Sequence, residues 1–137
     1  MIAYLDSSVV LRSILGQRGS FQNWTRVVEA VSSELLVVEC RRVIDRLRLM
    51  GSIDDLQLGE FRETLQKVLS RIELRAIAPA VLERAAQPFS SIVGILDALH
   101  LSTAIVWQRQ HKKKIVLLTH DEQLALAARL EGVDVDG

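Results

Sequence analysis

One run constrains this chain more than any other: residues 115–119, IVLLT, continuous in apolar character and rich in β-branched side chains. A strand with no polar face has nothing to turn toward water, so it belongs inside a sheet covered on both sides. A parallel sheet meets that condition, because its crossover helices supply both covers. The other segments agree. IAYLD reads as a buried strand at 2–5, ELLVV as a strand at about 34–37, IELRAI as a third, and VDV near the C-terminus as an edge strand.

Helical patterns lie between these runs. SSVVLRSIL follows the first strand directly, with Ser7 or Ser8 as its cap. FQNWTRVVEAVS reads as a second helix. From Glu39 the apolar period is helical through Cys40, Val43, Ile44, Leu47 and Met50, with Gly51 as a stop. Leu58, Phe61, Leu65 and Val68 form the stripe of the next helix. Pro79 opens another at 79–86, a long one follows at 95–110, and DEQLALAARL is stopped by Gly132. The expected fold is α/β, a single domain over 1–137 with a mostly parallel sheet of four or five strands and helices on both faces.

A chain of 137 residues, 49% apolar and 25% charged, can build a real core and is not a disordered sequence. Its 17 basic and 17 acidic residues cancel, so net charge makes no case for a polyanionic partner; only the placement of charges can. Cys40 is the single cysteine, which excludes an internal disulfide and suits a reducing compartment. The N-terminus lacks the basic region and long apolar core of a secretory signal, and no apolar run approaches the ~20 residues of a membrane span. A cytoplasmic domain without membrane association is the expectation.

Four acids carry the functional reading. Asp6 ends the first strand, Glu39 ends the second or begins the helix after it, and Asp121 follows IVLLTH. Asp97 falls in the first turn of the long helix, among Leu96, Ala98, Leu99 and Leu101, where a desolvated carboxylate needs compensation. In open α/β sheets the working crevice lies beyond the carboxyl ends of the strands. Four carboxylates converging there are tolerable around a hard cation, and Mg²⁺ or Mn²⁺ prefers oxygen donors. Such a cluster suits phosphodiester cleavage. Taken singly, Asp6 is evenly balanced between function and a cap, Glu39 and Asp121 fit better as caps or first-turn charges, and Asp97 fits that reading least.

These residues form four motifs in order. YLDSSVVL, SSELLVVECRRVIDRL, ILDALHLSTAI and VLLTHDEQLALAA together resemble PIN-domain ribonucleases, most closely the VapC-type toxins of bacterial toxin–antitoxin pairs. The resemblance implies Mg²⁺- or Mn²⁺-dependent cleavage of RNA, a homodimer, and a cognate antitoxin that blocks the active site. It implies that Asp6, Asp97 and Asp121 supply metal oxygens, and that Glu39 is a ligand or orients the attacking water. Ser8 and Thr119 would hydrogen-bond the carboxylates, or act as caps. The Thr-x-Asp pattern favours Asp121 over the adjacent Glu122.

Arg42 and Arg46 lie within roughly 60° of arc of Glu39 on one helix side, where they could neutralise a substrate phosphate or, for Arg42, pair with Glu39 on the surface. His100 is expected to be a packed, hydrogen-bonded residue rather than a proton donor. RQHKKK, at 109–114, closes the long helix and reads as a solvated terminus. Two other acidic-pocket proteins fit less well. A receiver-type phosphoacceptor domain needs an acid pair after the first strand and a late lysine, and a haloacid-type phosphatase needs Asp-x-Asp where this chain has DSS. A PIN-like domain without catalysis, acting only by binding, is the non-enzymatic alternative.

Overall fold

The computed structural model describes residues 1–137. Five strands, β1 (Ile2–Leu5), β2 (Glu29–Ser33), β3 (Glu73–Arg75), β4 (Val116–Leu118) and β5 (Asp134–Asp136), form one sheet in the order β3-β2-β1-β4-β5. Every neighbouring pair is parallel. β1 and β4 run side by side at the centre, with Ala3, Tyr4 and Leu5 opposite Val116, Leu117 and Leu118. Six helices cover the sheet: α1 (Ser7–Ile14), α2 (Leu35–Leu49), α3 (Asp55–Leu69), α4 (Pro79–Ala85), α5 (Ile95–His111) and α6 (Glu122–Leu130).

The central strands are apolar on both faces because both faces are buried. Ala3, Leu5 and Leu118 pack with Val9, Leu36, Cys40, Ile44 and Leu65 of α1, α2 and α3. The alternate residues Tyr4, Val31 and Leu117 face the other way, onto Leu101, Ala104, Ile105 and Trp107 of α5 and Leu124, Ala127 and Ala128 of α6. This is the two-residue period of a strand read out as two separate cores.

Two sequence expectations fail together. FQNWTRVVEAVS is not a helix: only a short 3₁₀ turn, Trp24–Arg26, precedes β2, whose Ala30 and Val31 sit beside Ala3 and Tyr4. ELLVV is not a strand but the first turns of α2. The stripe Leu36, Cys40, Ile44 repeats every four residues and therefore starts one turn before Glu39. β2 was disguised by its serines. Ser32 and Ser33 are buried, and the Ser32 hydroxyl satisfies itself by donating to the Leu5 carbonyl at 2.7 Å. Glu39 consequently lies in the second turn of α2, not at a strand end.

The remaining boundaries follow local chemistry. Asp6, rather than Ser7 or Ser8, occupies the cap position of α1, although its side chain makes no capping bond. Gly51 adopts φ +71° to turn the chain between α2 and α3. Asp54 and Gln57 then cap α3 reciprocally, each backbone N–H donating to the other's side chain. Pro79 stands at the first position of α4. Lys112 ends α5 in the left-handed region, and 109–114 is exposed throughout, as a solvated terminus should be.

The segment that delivers α5 is pinned by a largely buried ion pair. Arg84 of α4 donates to Glu131 at 3.0 Å and lies 4.3 Å above the Phe89 ring, while the Ser90 N–H donates to the other Glu131 oxygen. Glu131→Ala leaves the Arg84 charge alone and is expected to cost about 3 kcal/mol in urea unfolding. The paired change Arg84→Met with Glu131→Leu should cost less.

Candidate active site

The site is built where β1 and β4 end. Asp6 follows the last residue of β1, and its N–H donates to the Leu118 carbonyl, so the two strand ends are locked together. Asp6 is 5% exposed. Oδ2 accepts from the Ser8 hydroxyl at 2.6 Å and from the Thr119 hydroxyl at 2.9 Å. Each hydroxyl in turn accepts a backbone N–H at 3.0 Å, Ser8 from His120 and Thr119 from Asp121. A hydroxyl has one proton, and here both protons point at the same oxygen. That oxygen must be an acceptor, while Oδ1 carries no hydrogen bond.

Asp121 stands two residues beyond Thr119 at the cap of α6, where Oδ1 accepts the Leu124 N–H at 3.0 Å. It therefore is a helix cap and also lies beside the other acids. Glu122 opens α6 on the exposed side. Asp97 is the third residue of α5. Its carboxyl is pushed up to about 6, first by burial and then by the charges of Asp121 and Asp6, with Glu39 adding a smaller contribution. The four acids, drawn from β1, α2, α5 and α6, thus share one electrostatic neighbourhood.

Glu39 is held by a residue the sequence suggested as packed and hydrogen-bonded, with no partner named. His100 is fully buried, and its Nε2 contacts Glu39 Oε1 while its Nδ1 lies 2.7 Å from the Tyr4 hydroxyl. Arg42 does not pair with Glu39; it donates to Asp45 at 3.0 Å and is 68% exposed. Arg46 is also exposed. Arg41, Arg42 and Arg62 line a cleft of about 480 Å³ between α2 and α3, with Asp45 its one acid. Cys40, beside Glu39 in sequence, points into the core, and burial pushes its thiol up to about 12, which suits a packed side chain rather than a nucleophile.

Comparison with known proteins converges on one family. The family model of the PIN domain matches residues 3–130, nearly the whole chain. The chain belongs to the PIN domain family. Among solved structures, a chain in the crystal structure of VapBC2 from Rickettsia felis bound to a DNA fragment from their promoter has the same fold. It is similar at a TM-score of 0.70 and 16% identity, over 99% of this chain and 98% of that one. No curated protein matches the chain. Membership in the PIN domain family sets aside the receiver and haloacid-phosphatase readings.

Enzymes on the PIN fold are generally nucleases that use a divalent metal, and the donors here can be tested against that chemistry. All four are carboxylates, the oxygen donors that Mg²⁺ and Mn²⁺ prefer. No three His, Cys, Asp or Glu side chains close into a ligand cage. Mg²⁺ keeps several waters and needs only one or two carboxylates directly. The Asp97 carboxyl is raised first by burial and then by the neighbouring acids, a setting in which a cation would be favoured.

Asp97 carries a stability consequence in metal-free protein. Its folded-state value, about 6, lies above the 3.8 of an unfolded chain, so folding favours its protonated form. The cost of its charge is complete above pH 6, shrinks as pH falls toward 3.8, and is gone below that. Asp97→Asn is therefore expected to stabilise the PIN domain in EDTA at pH 7.5 by about 1–2 kcal/mol, after allowing for partial exposure. The gain should vanish by about pH 3.5 in paired thermal melts.

Proposed function

We propose that this chain is a Mg²⁺- or Mn²⁺-dependent endoribonuclease, the toxin of a VapC-type toxin–antitoxin pair. The observation that carries the reading is the convergence of Asp6, Asp97, Asp121 and Glu39 on the carboxyl edge of the sheet, with burial and then the other acids raising Asp97 to about 6. The likeness to a chain of the VapBC2 complex supports a cognate antitoxin as partner; a cytoplasmic homodimer is the form that the motif resemblance implies. No helix of the chain is long and apolar enough to cross a membrane.

A bound Mg²⁺ or Mn²⁺ would polarise the scissile phosphate and make a water acidic enough to attack near neutral pH. Asp6, Asp97 and Asp121 are the residues that would hold it. Ser8 and Thr119 prepare Asp6 by both donating hydrogen bonds to Oδ2, which fixes the orientation of the carboxylate and leaves Oδ1 free. Glu39 would orient the attacking water. A polyanionic substrate is repelled by four acids, so binding needs cations nearby. Arg42 and Arg46, on the Glu39 side of α2, would meet the phosphates of the incoming strand, and the cleft of Arg41, Arg42 and Arg62 extends that basic surface.

Purified protein is expected to cut single-stranded RNA with Mg²⁺ or Mn²⁺ and to stop when EDTA is added. Asp6→Asn and Asp97→Asn should lose cleavage with unchanged circular dichroism, and Mg²⁺ should raise the melting temperature of the parent but not of Asp97→Asn. Metal-independent cleavage, or full activity in either variant, would remove this mechanism.

RNA binding measured in EDTA should weaken in Arg42→Ala, and the slope of log K against log salt should flatten by about 0.7. An unchanged slope counts against a phosphate contact by Arg42.

A further inference from the structure

A glutamate on a helix surface samples many rotamers, and fixing one has an entropic cost. Glu39 is fixed. His100, fully buried in α5, reaches Oε1 through Nε2, and Oε2 carries no hydrogen bond. The other imidazole nitrogen meets the hydroxyl of Tyr4, which is also fully buried and lies in β1, two residues before Asp6.

The protons on this line can be assigned. A carboxylate oxygen only accepts, so the neutral ring turns its proton toward Glu39 Oε1, and the Tyr4 hydroxyl, 2.7 Å from the other nitrogen, donates to it. Nδ1 is then the accepting nitrogen, and Nε2 carries the ring proton and donates to the Glu39 carboxylate. Each group in the line has one role, and none is left unpaired.

An apolar triad would fill the same space without the cost of burying three polar groups. Polar groups retained in a core therefore need a reason, and the geometry supplies one. Residues three apart on a helix share a face. The turn of α5 that carries Asp97 to the acids thus also carries His100 to Glu39. The line ties β1, α5 and α2 together behind the site.

We propose that Tyr4 and His100 are positioning residues for Glu39: the phenol sets the imidazole tautomer, and the imidazole holds the carboxylate by Oε1 so that Oε2 can orient the attacking water. The proposal rests on the nuclease reading of the site. Its core, the oriented imidazole bonded to Glu39, is also measurable without catalysis.

The test combines single-turnover RNA cleavage with ¹⁵N NMR of the imidazole in the full chain. His100→Leu should lower the cleavage rate tenfold to a hundredfold with little change in KM. His100→Gln, whose amide N–H can replace Nε2–H, should recover most of it, and Tyr4→Phe should lose several-fold. Glu39→Ala with His100→Leu should be no slower than Glu39→Ala alone, because a positioning residue has nothing left to position. Losses that multiply, or a folded His100→Gln as slow as His100→Leu, would overturn the proposal.

The NMR arm should show the Nε2–H tautomer, with a resonance that moves in Glu39→Gln. An Nδ1–H imidazole, or one indifferent to Glu39, overturns the proposal whatever the kinetics. If the parent protein cleaves no RNA in any metal, the nuclease reading fails and the imidazole spectrum alone decides whether His100 holds Glu39.

Discussion

Asp6 receives two hydroxyl protons on a single oxygen at the point where β1 gives way to α1. The donors come from different places, Ser8 from the start of α1 and Thr119 from the end of β4, and both are aimed by backbone N–H groups of the loop before α6. This works only if β1 and β4 are adjacent, parallel and in register, so that they finish side by side. The central strand pair, the entry angles of two helices and the orientation of one carboxylate are therefore one constraint. Buried hydrogen bonds to a charged group are worth about twice neutral ones, which makes this junction hard to rearrange piecemeal.

Against that fixed point the other acids are held under repulsion. Asp97 reaches the crevice because α5 is apolar on nearly all sides and locked between the sheet, α4 and α6. Asp121 reaches it as the cap of α6, so the hydrogen bond that starts a helix also aims a site carboxylate. Glu39 arrives on α2, whose Leu36, Cys40 and Ile44 are buried on the opposite core. The two apolar cores anchor helices on both faces of the sheet, and like charges are kept together at its edge by burial that has already been secured elsewhere.

Much of this was legible in the sequence. Continuous apolar runs announced β1 and β4, and with them the positions of Asp6 and Thr119. The apolar neighbours of Asp97 marked it as a carboxylate needing compensation. β2 was not legible, because Ser32 and Ser33 look like loop residues until the partner carbonyl of Leu5 is known. The start of α2 was lost with it, since ELLVV suits either a strand or a buried helix turn. His100 was expected to be packed and hydrogen-bonded, and it is. Its partners were invisible, because Glu39 lies 61 residues away and Tyr4 lies 96 away, and no local pattern reports contacts of that range. Arg42 illustrates the reverse error: helix spacing allowed a bond to Glu39, but Asp45 was equally near and free.

The two outermost strands bear on how such molecules can associate. β3 and β5 are three residues long each, and β5 places exposed Asp134 and Asp136 on either side of Val135. A second copy trying to continue the sheet at β5 would set acid against acid along a row with few hydrogen bonds to offer. Intermolecular β-pairing is thereby discouraged at that edge. Association through helices escapes this penalty, and it leaves the crevice at the strand ends free of any lateral stacking of sheets.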